Sequence, residues 1–175
     1  MSAEVIPSLL KKPREPWLLE WVGVPPRAYE FAWATAENGV VSRVLRGSKM
    51  TSLQGLWDEV GAALQFPNYF GENQAALEEC LTDLSWLPGQ AYLVVVVDAV
   101  NLLEHDSDDR FAMFVETLDS AAQTWAAPIE LGEWWDRPAI PFHVAFQVGP
   151  ETREKLHTRF AATRVEVARW ESWTS

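Results

Sequence analysis

Hydrophobic residues along this chain follow two spacings: continuous apolar runs, and stripes that repeat every three or four positions. The run Tyr92–Val97 is wholly apolar, which is typical of a strand buried on both faces inside a parallel sheet. The second spacing predicts one amphipathic helix near residues 52–65 and another near residues 108–125. Their apolar stripes are Leu53, Leu56, Trp57, Val60 and Leu64 in the first, and Phe111, Phe114, Val115, Leu118 and Ala122 in the second.

These patterns predict the order of elements in the central part of the chain. Strands are expected at 41–46, 91–97 and 142–148, and helices at 52–65, 72–84 and 109–125. Strands that alternate with helices favour an α/β fold. We therefore expect residues 41–148 to form a small parallel sheet packed by helices.

Residues 1–40 are predicted to form an N-terminal extension. Its first part, residues 1–16, contains three prolines and is expected to be a loose arm. Bulky and small side chains alternate at 29–35, which indicates an added strand. Turn chemistry at Asn38-Gly39 then joins this strand to residues 40–45, so the pattern predicts a β-hairpin.

Residues 149–175 are predicted to form a C-terminal extension. A helix is expected at 151–162 and a short edge strand at 164–170. The chain therefore divides into two extensions around the central domain.

The composition is that of a folded cytoplasmic protein. An apolar fraction of 48% over 175 residues is enough for one well-buried domain. No apolar run approaches the roughly 20 residues that cross a bilayer, and the N-terminus lacks the pattern of a secretory signal. With Cys80 as the single cysteine, an intrachain disulfide and a two-cysteine metal motif are both excluded.

Negative charge is concentrated in the central domain. No Lys or Arg occurs between Lys49 and Arg110, a stretch that holds 11 Asp and Glu residues. Residues 41–148 carry a net charge of −11, which equals the net charge of the whole chain. Such a surface attracts a basic protein and repels nucleic acid and anionic membranes. The alternative is that the acidic excess only keeps the protein in solution.

A line of carboxylates is predicted on the helix at 72–84. At about 100° per residue, Glu72, Glu79 and Asp83 fall within about 20° of one line. Ala75 and Ala76 flank this line and leave room for an approaching surface. The apolar side of the same helix comprises Leu77, Cys80, Leu81 and Leu84, which are expected to face the core.

Residues 64–82 resemble the signature of the barstar family. The shared features are Leu-x-x-Pro, an aromatic pair, Gly-x-Asn and a helix with Leu-x-x-Cys-Leu-Thr. The resemblance extends more weakly over about 41–148. It implies a three-stranded parallel sheet packed by helices. It also implies an intracellular inhibitor that plugs the basic active site of a secreted microbial ribonuclease with this helix and the loop before it.

The resemblance also implies which residues bind the partner. Tyr69 falls in the binding loop and Asn73 at the start of the helix. Glu79 falls where the family uses an Asp that imitates a substrate phosphate, and Thr82 lies just beyond it. The predicted partner-binding residues are Tyr69, Phe70, Glu72, Asn73, Ala75, Ala76, Glu79, Thr82 and Asp83.

Two positions depart from the family pattern. Ala75 stands where the family has an interface acid. Ser120 stands near the position of a more distant acid on the last long helix, although Glu116 and Asp119 are close. The departures leave a second interpretation open, in which the same scaffold serves as a binding or immunity module for another basic protein, such as a DNase toxin or a regulatory protein.

An enzyme is not predicted. The three histidines are not at metal-ligand spacing, and no phosphate-binding glycine loop or nucleophile elbow occurs. Glu72 and Glu79 share one helix side and do not face each other across a cleft, as an acid/base pair would require. The acidic loop 104–109 is interpreted as a solvated turn that caps the next helix. No metal or cofactor is therefore expected.

Overall fold

The computed structural model, which describes residues 8–170, contains five strands and five α-helices, and one or two helices connect each pair of successive strands. The strands are β1 (Leu18–Val22), β2 (Val41–Arg46), β3 (Tyr92–Val97), β4 (Phe142–Val148) and β5 (Val167–Trp170). The helices are α1 (Pro25–Glu37), α2 (Leu53–Ala63), α3 (Gln74–Asp83), α4 (Asp108–Ala126) and α5 (Arg153–Ala161). The predicted α/β class is confirmed.

All strands lie in one parallel sheet in the order β2-β3-β4-β1-β5. The register is continuous, because Val95 lies opposite both Val44 and Ala145, while Leu19 lies opposite both Ala145 and Ala168. The three predicted central strands are confirmed, with β3 buried on both faces. The sheet has two strands more than the resemblance implies, because β1 and β5 extend it beyond β4.

Helices cover the two faces of the sheet unequally. On one face α1 packs against the sheet, and the core there includes Phe31, Leu93 and Val95. On the other face α2 to α5 share a larger core that includes Val94 and Phe146. The predicted helices at 52–65 and 109–125 are confirmed as α2 and α4.

The predicted hairpin is wrong, because residues 29–35 lie in α1. The helix begins at Pro25-Pro26, where proline costs no intrahelical hydrogen bond. Tyr29 and Trp33, two of the bulky residues that suggested a strand, are exposed. The buried residues instead follow helical spacing: Ala28, Phe31, Ala32 and Thr35.

The strand added by the N-terminal extension is β1. Its central residue Glu20 is buried, and its carboxylate accepts a hydrogen bond from Arg153 Nε of α5. The prediction of a loose arm is wrong for Leu10, which is buried against the core on the α1 side. Removing its apolar side chain from water stabilises this position of the arm. Residues 1–7 of that arm lie outside the described residues.

The C-terminal helix α5 lies within the predicted range 151–162, and β5 forms the sheet edge within the predicted range 164–170. Residues 171–175 lie outside the described residues. The three segments distinguished in the sequence thus contribute to one sheet, while the domain division itself stays a prediction.

Candidate functional site

Helix α3 is held on the molecule by its apolar side. Leu77, Cys80, Leu81 and Leu84 are all buried, as the periodicity predicts. Trp125 of α4 donates a hydrogen bond from Nε1 to the carbonyl oxygen of Leu81, at 2.8 Å. The opposite side of α3 is therefore presented to solvent in a fixed orientation.

Asn73 determines where α3 begins. Its Oδ1 accepts a hydrogen bond from the backbone nitrogen of Ala76 at 3.0 Å, and its Nδ2 donates to the carbonyl oxygen of Gly71. The helix therefore starts at Gln74, two residues later than the sequence predicts. Glu72 lies before the cap with a φ of 50°, so its predicted place on the helical line is wrong.

The side chain of Glu72 turns towards α2. Gln54 Nε2 lies 3.3 Å from Glu72 Oε2 and 3.0 Å from Asp58 Oδ1, so it donates to both carboxylates. Glu72 is exposed, but it lies beside α2 and not in line with Glu79. The carboxylate line on α3 is thus reduced to Glu79 and Asp83.

Glu79 and Asp83 lie one helical turn apart, and both are exposed. Ala75 is also exposed, and Ala76 is half-buried. The hydroxyl of Thr82 donates to the carbonyl oxygen of Glu78 at 2.8 Å. Because this bond stays within α3, the Thr82 hydroxyl already has a hydrogen-bond partner in the free protein.

Tyr69 lies beside these carboxylates. Its side chain is 60% exposed in the loop between α2 and α3. Partial desolvation, and then the nearby charges of Asp83 and Glu79 together with Cys80, raise the pKa of the Tyr69 hydroxyl. The charges of both carboxylates thus act on the Tyr69 hydroxyl. We refer to Tyr69, Glu79 and Asp83 as the acidic surface.

Phe70, the other half of the aromatic pair, is turned inward. Its ring packs edge-on against Phe66 at a centroid distance of 4.9 Å and against Trp57 at 6.0 Å. This packing ties the loop to α2 and fixes the position of Tyr69 next to it. The contact of Phe70 with a partner stays a prediction.

A further carboxylate, that of Glu78, lies at the junction of α3 and α4. Glu78 Oε1 accepts a hydrogen bond from Ser120 Oγ at 3.1 Å. Ser120 stands where the family resemblance implies an acid, so Glu78 supplies negative charge at that position. The pairing joins residues 42 positions apart, and no local sequence signal identifies it.

The other acids near Ser120 have partners of their own. Asp119 Oδ2 accepts a hydrogen bond from Gln123 Nε2 at 2.6 Å, and burial raises the pKa of Asp119. Glu116 Oε1 accepts a hydrogen bond from the backbone nitrogen of Arg164 at 3.2 Å. Neither therefore replaces Glu78 at the junction of the two helices.

The carboxylates of α3 and of the loop before it lack cation partners within the described residues. Within residues 8–170, none of Glu72, Glu78, Glu79 and Asp83 forms an ion pair. Exposed, unpaired carboxylates on a rigid helix are suited to bind the Lys, Arg or protonated His side chains of another protein.

Among the described residues, no group of three or more His, Cys, Asp and Glu side chains is arranged to hold a metal ion. In the same part of the chain, no helix has both the length and the apolar character needed to cross a membrane.

Comparison with known proteins gives one family. Residues 40–147 match the family model described as "Barstar (barnase inhibitor)". The match covers more than half of the chain and includes every predicted partner-binding residue. No curated protein matches the chain.

Proposed function

The chain belongs to the barstar family, and on this premise we propose that it inhibits a basic microbial ribonuclease by covering the active site of the enzyme with α3 and the loop before it. One observation carries the proposal. Glu79 and Asp83 are exposed one turn apart on α3, beside Tyr69, and neither has a cation partner within residues 8–170.

The chemistry of the two partners is complementary. A ribonuclease active site gathers Arg, Lys and His side chains that hold substrate phosphates. Carboxylates on a helix surface bind the same cations. The inhibitor therefore competes with RNA, because its carboxylates and the RNA phosphates bind to the same basic side chains. Long-range attraction speeds association, and close charge pairs slow dissociation.

Preorganisation supports tight binding. The Asn73 cap, the ring packing of Phe70 and the hydrogen bond from Trp125 to Leu81 already hold α3 and its loop in the free protein. Little further ordering is needed when the partner docks, so less of the interaction energy is lost. Glu78, fixed by Ser120, adds a further negative charge beside α4.

Barnase, the enzyme that the family description mentions, is the first probe. We expect the purified protein to bind barnase and to inhibit its cleavage of RNA. Glu79→Ala should weaken binding by at least roughly 2 kcal/mol, or about 30-fold in Kd, the scale for removing one member of a desolvated charge pair. Its melting temperature should stay nearly unchanged, because an exposed carboxylate contributes little to folding. Calorimetric titration and thermal unfolding measure the two effects.

Two control variants separate recognition from folding. Glu37→Ala removes an exposed acid from α1, on the opposite face of the sheet, and should leave the Kd unchanged. Cys80→Ala removes a buried thiol from the apolar side of α3, so it should lower stability while leaving the Kd largely intact. If Glu79→Ala binds barnase as tightly as the unmodified protein does, the acidic surface is only solvated and does not recognise the enzyme.

A second candidate function follows from Ala75. Its methyl group is exposed on α3 at the position where the family resemblance implies an acid, and a methyl group cannot bind a cation. This difference favours a module for another basic protein, such as a nuclease toxin with DNase activity. Absence of barnase binding at low salt, together with binding to such a toxin, would favour this second function.

A further inference from the structure

We propose that residues 127–141, the tryptophan loop, form a second contact for the same basic protein that the acidic surface binds; this inference rests on the proposed function. The loop joins α4 to β4 and carries three large apolar side chains in solvent. Trp134 is 89% exposed, Leu131 72% and Trp135 47%. The two indole rings contact each other edge-on at a centroid distance of 5.3 Å.

Exposed aromatic side chains in this arrangement are removed from water only when another surface covers them. Clustered apolar side chains on a monomer surface mark binding sites more often than scattered ones. Tryptophan is also enriched among the residues that dominate binding energy at protein interfaces. The tryptophan loop therefore has the composition of a recognition element.

Hydrogen bonds give the loop a fixed shape. Ile129 and Arg137 form an antiparallel bridge with two backbone hydrogen bonds of 2.9 and 3.1 Å. The carboxylate of Asp136 accepts hydrogen bonds from the backbone nitrogens of Leu131, at 3.0 Å, and Gly132, at 2.7 Å. Gly132 has a φ of 79°, which glycine adopts without strain. A preformed loop loses little conformational entropy on binding.

The base of the loop is joined to α3 through two side chains. The Arg137 guanidinium lies 4.4 Å from the ring centroid of Trp125 and donates to the carbonyl oxygens of Trp125 and Thr124. Trp125 in turn donates to the carbonyl oxygen of Leu81, two residues before Asp83. The loop therefore emerges beside the last turn of α3, where the acidic surface ends.

The charges of the loop select the same kind of partner. Glu130, Glu133 and Asp136 are exposed, whereas Arg137, the single cation of the loop, is turned inward onto Trp125. Lys and Arg side chains bind both to carboxylates and to indole faces, so a basic surface satisfies both features. A second copy of this chain would bring like charges together, which disfavours self-association through the loop.

The test compares two tryptophan variants. Trp134→Ala/Trp135→Ala removes the exposed rings of the loop, and Trp33→Ala removes a ring that is 66% exposed on α1, on the other face of the sheet. With barnase as the probe, the double variant should raise the Kd at least tenfold, mainly through faster dissociation, and Trp33→Ala should not change it. The melting temperature should stay unchanged in both. Glu79→Ala should reduce the salt dependence of binding, whereas the double variant should retain it.

The outcomes distinguish the loop from the acidic surface. If Glu79→Ala weakens binding and the double variant does not, the role of the loop is overturned and the proposed function is left intact. Analytical ultracentrifugation measures self-association of the unmodified protein. If the protein self-associates and the double variant does not, the loop binds a second copy of the chain, and the role proposed for it is also overturned.

A second measurement does not depend on barnase. A photo-crosslinking residue replaces Glu133 of the loop in one preparation and Ala75 of α3 in another, so that Glu79, Trp134 and Trp135 are all kept. Each preparation is added to an extract of the cells that make the protein. Capture of one and the same basic protein at both positions, with a lower yield at 133 in the Glu79→Ala background, supports the inference. Capture at 75 alone, or of different proteins at the two positions, overturns it. Capture at neither, together with no barnase binding, overturns both the inference and the proposed function.

Discussion

At the scale of single residues, His143 is a group whose ionisation opposes folding. It is fully buried in β4, and its Nε2 lies 3.4 Å from the carbonyl oxygen of Arg14. Its Nδ1 is buried with no hydrogen-bond partner among the described residues. Burial lowers the pKa of His143 from 6.5 to about 4, because a charged imidazole is poorly solvated there.

This lowered pKa makes stability depend on pH. The unfolded chain takes up a proton at His143 near pH 6.5, whereas the folded protein does so only near pH 4. The contribution of neutral His143 is therefore complete above about pH 6.5 and is lost as the pH falls towards 4, by an amount on the order of 3 kcal/mol. Urea unfolding at pH 7.5 and pH 4.5 measures the loss.

A matched variant isolates the histidine from other groups. Glu59 also loses stabilisation on acidification, because the hydrogen bond and charge of Arg46 lower its pKa. His143→Gln keeps the Glu59 pair and lacks the titrating ring, so its stability should fall less between the two pH values. Equal losses in the variant and the unmodified protein would assign the pH dependence to the carboxylates.

Individual site residues differ in how far the sequence predicts them. The exposure of Tyr69, Glu79 and Asp83 follows from the resemblance and the helical periodicity. The place of Glu72 depends on the Asn73 cap, which sets the first helical residue, and periodicity does not fix that boundary. The position of Glu78 depends on Ser120, and only the folded structure brings these two together.

At the scale of elements, a buried ion pair joins β1 to α5. Glu20 is 2% exposed, and its carboxylate binds Arg153 and lies 3.7 Å from His157 Nδ1. Glu20→Ala should cost about 2 kcal/mol of stability, which is less than the roughly 3–5 kcal/mol for breaking a fully buried pair, because Arg153 is one-third exposed and water can solvate it. Urea unfolding measures this cost.

The loss should be confined to one side of the molecule. Amide hydrogen exchange should accelerate in α5 and β5 of the Glu20→Ala variant, while α2 and α3 keep their protection. Glu154→Ala, which removes an exposed acid from the first turn of α5, is the control and should change exchange little. Uniform acceleration across the sheet would contradict a local role for the pair.

The elements that the sequence predicts well are those with one clear spacing. β3 is wholly apolar, and α4 keeps its stripe over 19 residues, so each pattern has a single interpretation. In α1, Tyr29 and Trp33 are exposed aromatics that imitate a strand. In β1, Glu20 interrupts the apolar run, and the cation that neutralises it lies 133 positions away. These two elements therefore could not be identified from local pattern.

At the scale of the whole molecule, charge acts over distance. The net charge of −11 resides in residues 41–148, which include the acidic surface. Association with barnase should slow by at least about tenfold as ionic strength rises from roughly 0.01 to 0.15 M, because the Debye length shortens from about 30 to about 8 Å. Dissociation should change less. Stopped-flow kinetics measure both rates, and a salt-independent association rate would contradict steering by this charge.

The sheet extends beyond the part of the chain that matches the family. β1 and β5 lie outside residues 40–147, and β1 pairs with β4, which lies almost entirely within the match. Without β1, the backbone of β4 would form an exposed edge. The two strands therefore cover one edge of the sheet and leave the acidic surface free.

The position of β1 also has a consequence for the newly made chain. Translation produces β1 before the other strands of the described residues, but its neighbours β4 and β5 are produced last. Strands β2, β3 and β4 can pair in the order in which they leave the ribosome, whereas β1 must wait until residue 148 has been added. During that interval its apolar side chains are open to mispairing or to a chaperone, and the long loop that must close makes the final pairing slow. Completion of the sheet is thus expected only after residue 170 has been added.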